Sequence, residues 1–166
     1  SQKSEKEIFM TMHDKIFEVL EANNALNSYV IYHWSNAERV IYESSSMKYY
    51  ADMELYRKHF APVWYDLCEL FKKEPIVVKG ALNFSLKSIA PAMHKHGFIS
   101  TIWDRNGVTD GLNAMIKAIE CSEDSKKKGF IMSEHPVMKE IIKYNEVDCK
   151  VMEEILKYIR ENLIKP

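Results

Sequence analysis

Tyr29-Val30-Ile31-Tyr32-His33-Trp34-Ser35-Asn36-Ala37-Glu38 decides the fold class of this chain. Its first four residues are β-branched or aromatic with no polar break, which is the pattern of a short buried strand. His33 and Trp34 leave the strand, and Ser35 or Asn36 can cap the helix that Ala37 begins. Tyr29 to Tyr32 is the one clear strand of the chain, set among about six helices. One strand cannot pair with itself, and a lone buried strand leaves its N–H and C=O groups unsatisfied. Either further strands hide in this sequence or they belong to polypeptide outside it.

Outward from that strand the pattern is helical. Glu5 to Glu21 carries Ile8, Phe9, Met12, Ile16, Val19 and Leu20 at helical spacing. Asn23, Asn24 and Asn27 mark the loop between this helix and the strand. Ala37 to about Tyr42 is expected as a short helix, broken by Ser44-Ser45-Ser46. Met47 to Lys73 is expected as one long helix, bent near Pro62. Pro75 to Val78 suits a short strand or an extended connector. Ser85 is placed to cap Leu86 to His96, with Gly97 as the stop signal. Asp104 to Gly107 reads as a loop, and Asp110 as the cap of a helix from Gly111 to Ser122. Asp124 to Gly129 reads as a solvated loop. Pro136 fits the first turn of a last helix reaching about Leu163. Its apolar stripe holds Val137, Ile141, Ile142, Val151, Ile155, Leu156 and Ile159.

At 166 residues, 46% hydrophobic and 28% charged, the chain suits one domain with a core. Only five glycines and five prolines favour helices over turn-rich β architecture. The formal charge of -1 excludes a general basic field for gripping a polyanion, so nucleic-acid contact must come from local patches. Cys68, Cys121 and Cys149 are scattered and odd in number, which suits reduced thiols and an intracellular, cytoplasmic setting. No apolar run approaches ~18 residues, so no membrane span is expected, and no signal peptide is visible. His94 and His96 are two residues apart and point to different helix faces, so they do not form a zinc pair.

Chemistry concentrates near the end of the chain. Tyr144 and Asp148 stand four apart on one helix face. A carboxylate beside a phenol is the pair that a metal-dependent phosphodiesterase needs, one holding a cation and the other orienting water. The bland alternatives are a solvated helix carboxylate and a tyrosine at the edge of the core. Trp34, Trp64 and Trp103 are candidates for base stacking, with core packing the simpler reading of Trp64. Lys126-Lys127-Lys128 is either a backbone contact for nucleic acid or a solvated loop.

Four segments together resemble the ribonuclease-H-like 3′–5′ exonucleases of the DEDD class, closest to the RecB-associated, YprB-like branch. They are Tyr29 to Glu38; Trp64-Tyr65-Asp66-Leu67; Phe84-Ser85-Leu86-Lys87-Ser88-Ile89-Ala90 with Gly97-Phe98; and Asp110 to Met115 followed by Tyr144-Asn145-Glu146-Val147-Asp148-Cys149. Their order and spacing are similar to the last two thirds of such a domain. The resemblance implies a single partial α/β domain of ribonuclease-H-like fold over residues 1–166, helix-rich in this chain. It implies Mg²⁺ or Mn²⁺ in a two-metal site that cleaves single-stranded DNA or RNA from the 3′ end. Asp148, Tyr144 and Glu38 would be catalytic, with Asp148 and Glu38 as metal ligands. His33, Asn145 and Lys87 would contact the substrate, and Asp66 would lie nearby in a structural role. Two departures stand out. No Asp-x-Glu precedes the first helix, so the family's first acidic motif and N-terminal strands are missing from this sequence, and a remaining N-terminal part of the same domain or protein becomes an expected partner. Glu38 also stands where most of the class carries aspartate. The rival function is a catalytically inactive nuclease-fold module that binds nucleic acid or protein. A purely helical interaction protein would instead leave Tyr29 to Tyr32 unpaired.

Overall fold

A computed structural model describes residues 2–26, 28–49, 62–104 and 111–164. The chain divides into two compact units, Ser1–Ile76 and Val77–Pro166.

The first unit is built on a parallel strand pair. Helix α1 spans Gln2–Ala22, strand β1 Val30–His33, helix α2 Ala37–Lys48, strand β2 Val63–Asp66 and helix α3 Leu67–Lys73. β1 and β2 pair in parallel, Val30 opposite Val63 and His33 opposite Asp66. Parallel neighbours require a crossover, and α2 lies within it. The hidden partner strand is therefore Val63-Trp64-Tyr65-Asp66, inside the stretch expected to be one long helix from Met47 to Lys73. Residues 50–61 of that stretch, like Asn27 and Asp110, lie outside the described residues. The Ser44-Ser45-Ser46 break is also absent: α2 continues through it to Lys48. Serine has only a modest helix cost, so three of them need not end a helix that packing supports.

Strand β1 is half open rather than fully buried. Ile31, His33, Trp64 and Asp66 share one face, where His33 is buried, while Val30, Val63 and Tyr65 on the other face are exposed. The core of this unit gathers Phe9 of α1 against Tyr42 and Tyr49. His13 is fully buried beside it. The Phe9 carbonyl can only accept, so His13 Nδ1–H donates to it at 2.8 Å and Nε2 accepts from the Tyr42 hydroxyl at 3.1 Å. Of the stripe expected on α1, Phe9 and Leu20 are buried, whereas Ile8, Met12 and Val19 are exposed.

The second unit is helical. Helix α4 spans Leu86–Lys95, α5 Gly111–Lys128 and α6 Pro136–Asn162, with a 3₁₀ turn at Met132–Glu134. Residues 75–78 form no strand. Gly97 at φ 73 lets the chain turn out of α4, and Gly129 at φ 73 does the same after α5. The loop expected at Asp124 to Gly129 is thus the last turn of α5, with Lys128 bonded to Asp124 at 2.6 Å. Ala114 of α5 and Ile141 and Tyr144 of α6 form a core cluster, packed by Trp103, Ala118, Val137 and Met138. No helix among the described residues is long and apolar enough to cross a membrane.

Candidate functional site

The apolar stripe of α6 sets the site. Ile141, Tyr144, Val151, Ile155 and Ile159 are its buried positions. Their spacing places Asp148 on the same stripe, one turn after Tyr144 and one before Val151. An aspartate at a stripe position must find partners at the core edge. It finds two. The Trp103 indole N–H donates to Asp148 Oδ1 at 2.7 Å, and the Lys87 ammonium donates to the same oxygen at 3.2 Å.

Lys87 is fixed from three sides. Its Nζ lies 3.3 Å from the Trp103 ring centroid and 4.2 Å from that of Tyr144. Tryptophan offers the most negative π-face for a cation, and tyrosine follows. Three elements therefore converge: the first turn of α4 (Lys87), the extended segment after Gly97 (Trp103) and the middle of α6 (Tyr144 and Asp148). Three of the residues singled out in the sequence, Lys87, Tyr144 and Asp148, meet in this cluster. Trp103 reads in the sequence as a base-stacking candidate, and its indole N–H role leaves no trace there. Asn145 is exposed beside Tyr144.

A second carboxylate of α6 is silent in the sequence. Glu154 binds the turn after Gly97 through four hydrogen bonds. The Ser100 and Thr101 amides donate to Oε2 at 2.6 and 2.9 Å, and their hydroxyls donate to Oε1 at 2.9 and 2.5 Å. Burial opposes the charged form of Glu154. The four donors, led by the Thr101 hydroxyl, outweigh burial and hold the carboxyl at about 2. Glu154 thereby ties the segment leading to Trp103 onto the helix that carries Asp148. Its partners lie more than fifty positions away, so no local motif announces it.

The remaining predicted residues lie in the first unit. Glu38 is an exposed residue in the first turn of α2. His33 is buried, hydrogen-bonded through Nδ1 to the Ser35 carbonyl and edge-on to Trp64 with centroids 5.5 Å apart. Asp66 caps α3, accepting from the Cys68 amide at 2.8 Å and the Glu69 amide at 3.4 Å. Its Oδ1 also accepts from the Ser35 amide at 2.9 Å. Ser35 has φ 72, unusual for a side-chain-bearing residue, and this bond helps hold it there. Trp34 is buried against Phe71.

Among the described residues, no three His, Cys, Asp or Glu side chains gather to hold a metal ion. Asp148 Oδ1 at the cluster already serves an ammonium and an indole N–H. Mg²⁺ and Mn²⁺ take several oxygen ligands. The described residues thus do not fit a divalent ion by themselves.

No family model, curated protein or solved structure matches the chain.

Proposed function

We propose that this chain carries the later part of a ribonuclease-H-like exonuclease domain that acts on the 3′ ends of single-stranded DNA or RNA. The supporting observation is the meeting of Lys87, Tyr144 and Asp148 around Trp103, three residues drawn from two separate motifs of the resemblance. The parallel β1–α2–β2 arrangement supports the same reading, because a pairing strand lies at the second motif.

This chain's own residues take positioning roles. Trp103 holds one carboxylate oxygen of Asp148, and Lys87 balances its charge and packs on the Tyr144 ring. Mg²⁺ or Mn²⁺ belongs to the proposal through carboxylates beyond those gathered at the cluster, and Glu38 is assigned a supporting role by resemblance alone. The test is cleavage of a 5′-labelled single strand in Mn²⁺ by the full chain and by Asp148→Asn. Stepwise shortening from the 3′ end, lost in Asp148→Asn with unchanged circular dichroism, is expected. Equal cleavage by both proteins ends the assignment.

One observation favours a second reading. An ammonium on the oxygen of Asp148 suits a nuclease-fold module that binds without cutting. That reading expects single-strand binding by anisotropy with no product at any Mn²⁺ concentration.

A further inference from the structure

The C-terminal end of α4 presents a run of aromatic rings that its backbone does not require. Gly97 is left-handed at φ 73. The Phe98 amide donates to the Met93 carbonyl at 3.0 Å, and the Gly97 amide donates to that of His94 at 3.0 Å. This pair of bonds ends a helix in the Schellman manner, which favours an apolar residue at position 98 but not a ring. Phe98 nevertheless lies near-parallel to His96, centroids 5.5 Å apart at 27°, and to Tyr158 of α6, centroids 4.7 Å apart at 22°. It is also left 41% exposed. The neighbouring rings are held in place. His96 Nε2–H donates to the Lys79 carbonyl at 2.8 Å. Tyr158 stands one turn after Glu154, whose bonds to Ser100 and Thr101 fix the backbone just beyond Phe98.

We infer that Phe98 and Tyr158, backed by His96, form the platform on which one base of a single strand stacks. The inference deepens the function proposed above and rests on it only for the ligand, a single strand, whether or not that strand is cut. Both rings line a groove of about 390 Å³, a volume within the range of small-molecule sites, together with Ser100, Lys157 and Glu161. A base laid there extends a run of rings that are already near-parallel, and stacking of this kind accepts any base because each has a π-face. The rings are fixed before the ligand arrives, so little ordering is lost on binding. Lys157 lies 4.0 Å from Glu161 in an exposed pair, a weak hold that leaves its ammonium available to a phosphate. A formal charge of -1 makes base faces the larger handle on a strand. The three tryptophans are engaged elsewhere: Trp34 against Phe71, Trp64 against His33 and Trp103 beneath Lys87.

The test is anisotropy of two labelled strands of equal length with the full chain, one bearing bases and one abasic, measured without added metal. Phe98→Leu keeps the apolar residue that ends α4 and removes the ring. It is expected to weaken binding of the base-bearing strand about tenfold, the size of one lost stacking contact. Phe98→Trp restores the affinity, and the abasic strand binds the native chain and Phe98→Leu alike. In nuclear magnetic resonance the Tyr158 ring protons move upfield as the base-bearing strand is added, and stay in place with the abasic one. Three results overturn the inference: equal affinity of the native chain and Phe98→Leu for the base-bearing strand, an equal loss on the abasic strand, or no binding by the native chain. If Phe98→Leu fails to fold, the Tyr158 signal of the native chain decides alone. A strand that is never shortened, yet is bound tenfold less well by Phe98→Leu, ends the nuclease and keeps the platform. A strand that is shortened from its 3′ end, yet is bound equally by both proteins, ends the platform and keeps the nuclease.

Discussion

Individual carboxylates in this chain are read by what donates to them. Tyr144 and Asp148 were legible because helical spacing places them on one face, and Lys87 because it stands at the start of a helix. Trp103 and Glu154 were not, since their meaning lies in partners 45 to 54 positions distant. Glu154 supports the strongest residue-scale expectation. Its carboxyl is held at about 2, below the ordinary glutamate range. A depressed acid contributes stability above its unfolded pKa and loses it as pH falls through its folded pKa. The contribution is therefore complete above about pH 4.5 and fades toward about pH 2, and after solvent screening it amounts to about 2 kcal/mol. Glu154→Gln should lower unfolding free energy at pH 7 by that amount in urea, and the two proteins should converge near pH 2. Parallel stability curves across the whole range would contradict it. His13 acts at higher pH. Burial lowers its pKa, against a partial gain from the Phe9 carbonyl, so the unfolded chain binds a proton more readily. Stability then falls with pH below about 6.5, where the unfolded histidine starts to protonate. His13→Gln should flatten the urea midpoint between pH 7 and 5, and a slope equal to that of the native chain would argue against it.

At the scale of elements, caps and stops proved easier to read than strands. Gly97 and Pro136 end α4 and begin α6 as their backbone chemistry dictates. Ser85 stands at the N-cap of α4, yet its hydroxyl donates to Asn83 and leaves the helix amides alone. β2 was hidden because four residues are too few to show a period, and Pro62 directly before them reads equally well as a bend within one long helix. Its pairing with β1 removes the all-helical alternative, which required an unpaired segment at Tyr29 to Tyr32. The junction of β2 with α3 depends on Asp66, whose one oxygen serves two amides of α3 and the strained Ser35 after β1. Asp66→Ala should cost about 2 kcal/mol, the upper range of a lost cap, since it also releases Ser35. Asp66→Asn keeps an accepting oxygen and should cost less than half of that. Equal denaturant midpoints for alanine and native proteins would show that the cap contributes nothing.

Across the whole molecule, charge constrains the proposed ligand more tightly than any motif does. Scarce glycine and proline foretold a mostly helical chain. A formal charge of -1 leaves no long-range field to collect a polyanion. The three lysines at 126–128 fit that balance, since they close the last turn of α5 and Lys128 is engaged with Asp124. Lys87 likewise is already committed to Asp148. The proposed binding of a single strand would then rest on a few phosphate contacts together with base stacking. Each neutralised phosphate contributes about -0.7 to the slope of log affinity against log salt for single strands, so two or three contacts give a slope of about -1.5 to -2. Anisotropy of a labelled strand of about 12 nucleotides between about 50 and 300 mM salt, concentrations that bracket the usual range of such assays, measures it directly. A slope steeper than about -4 would require six or more phosphate contacts, a basic track that this composition does not supply. Lys87→Met should leave that slope unchanged, because the ammonium it removes is already engaged with Asp148 and not with a phosphate.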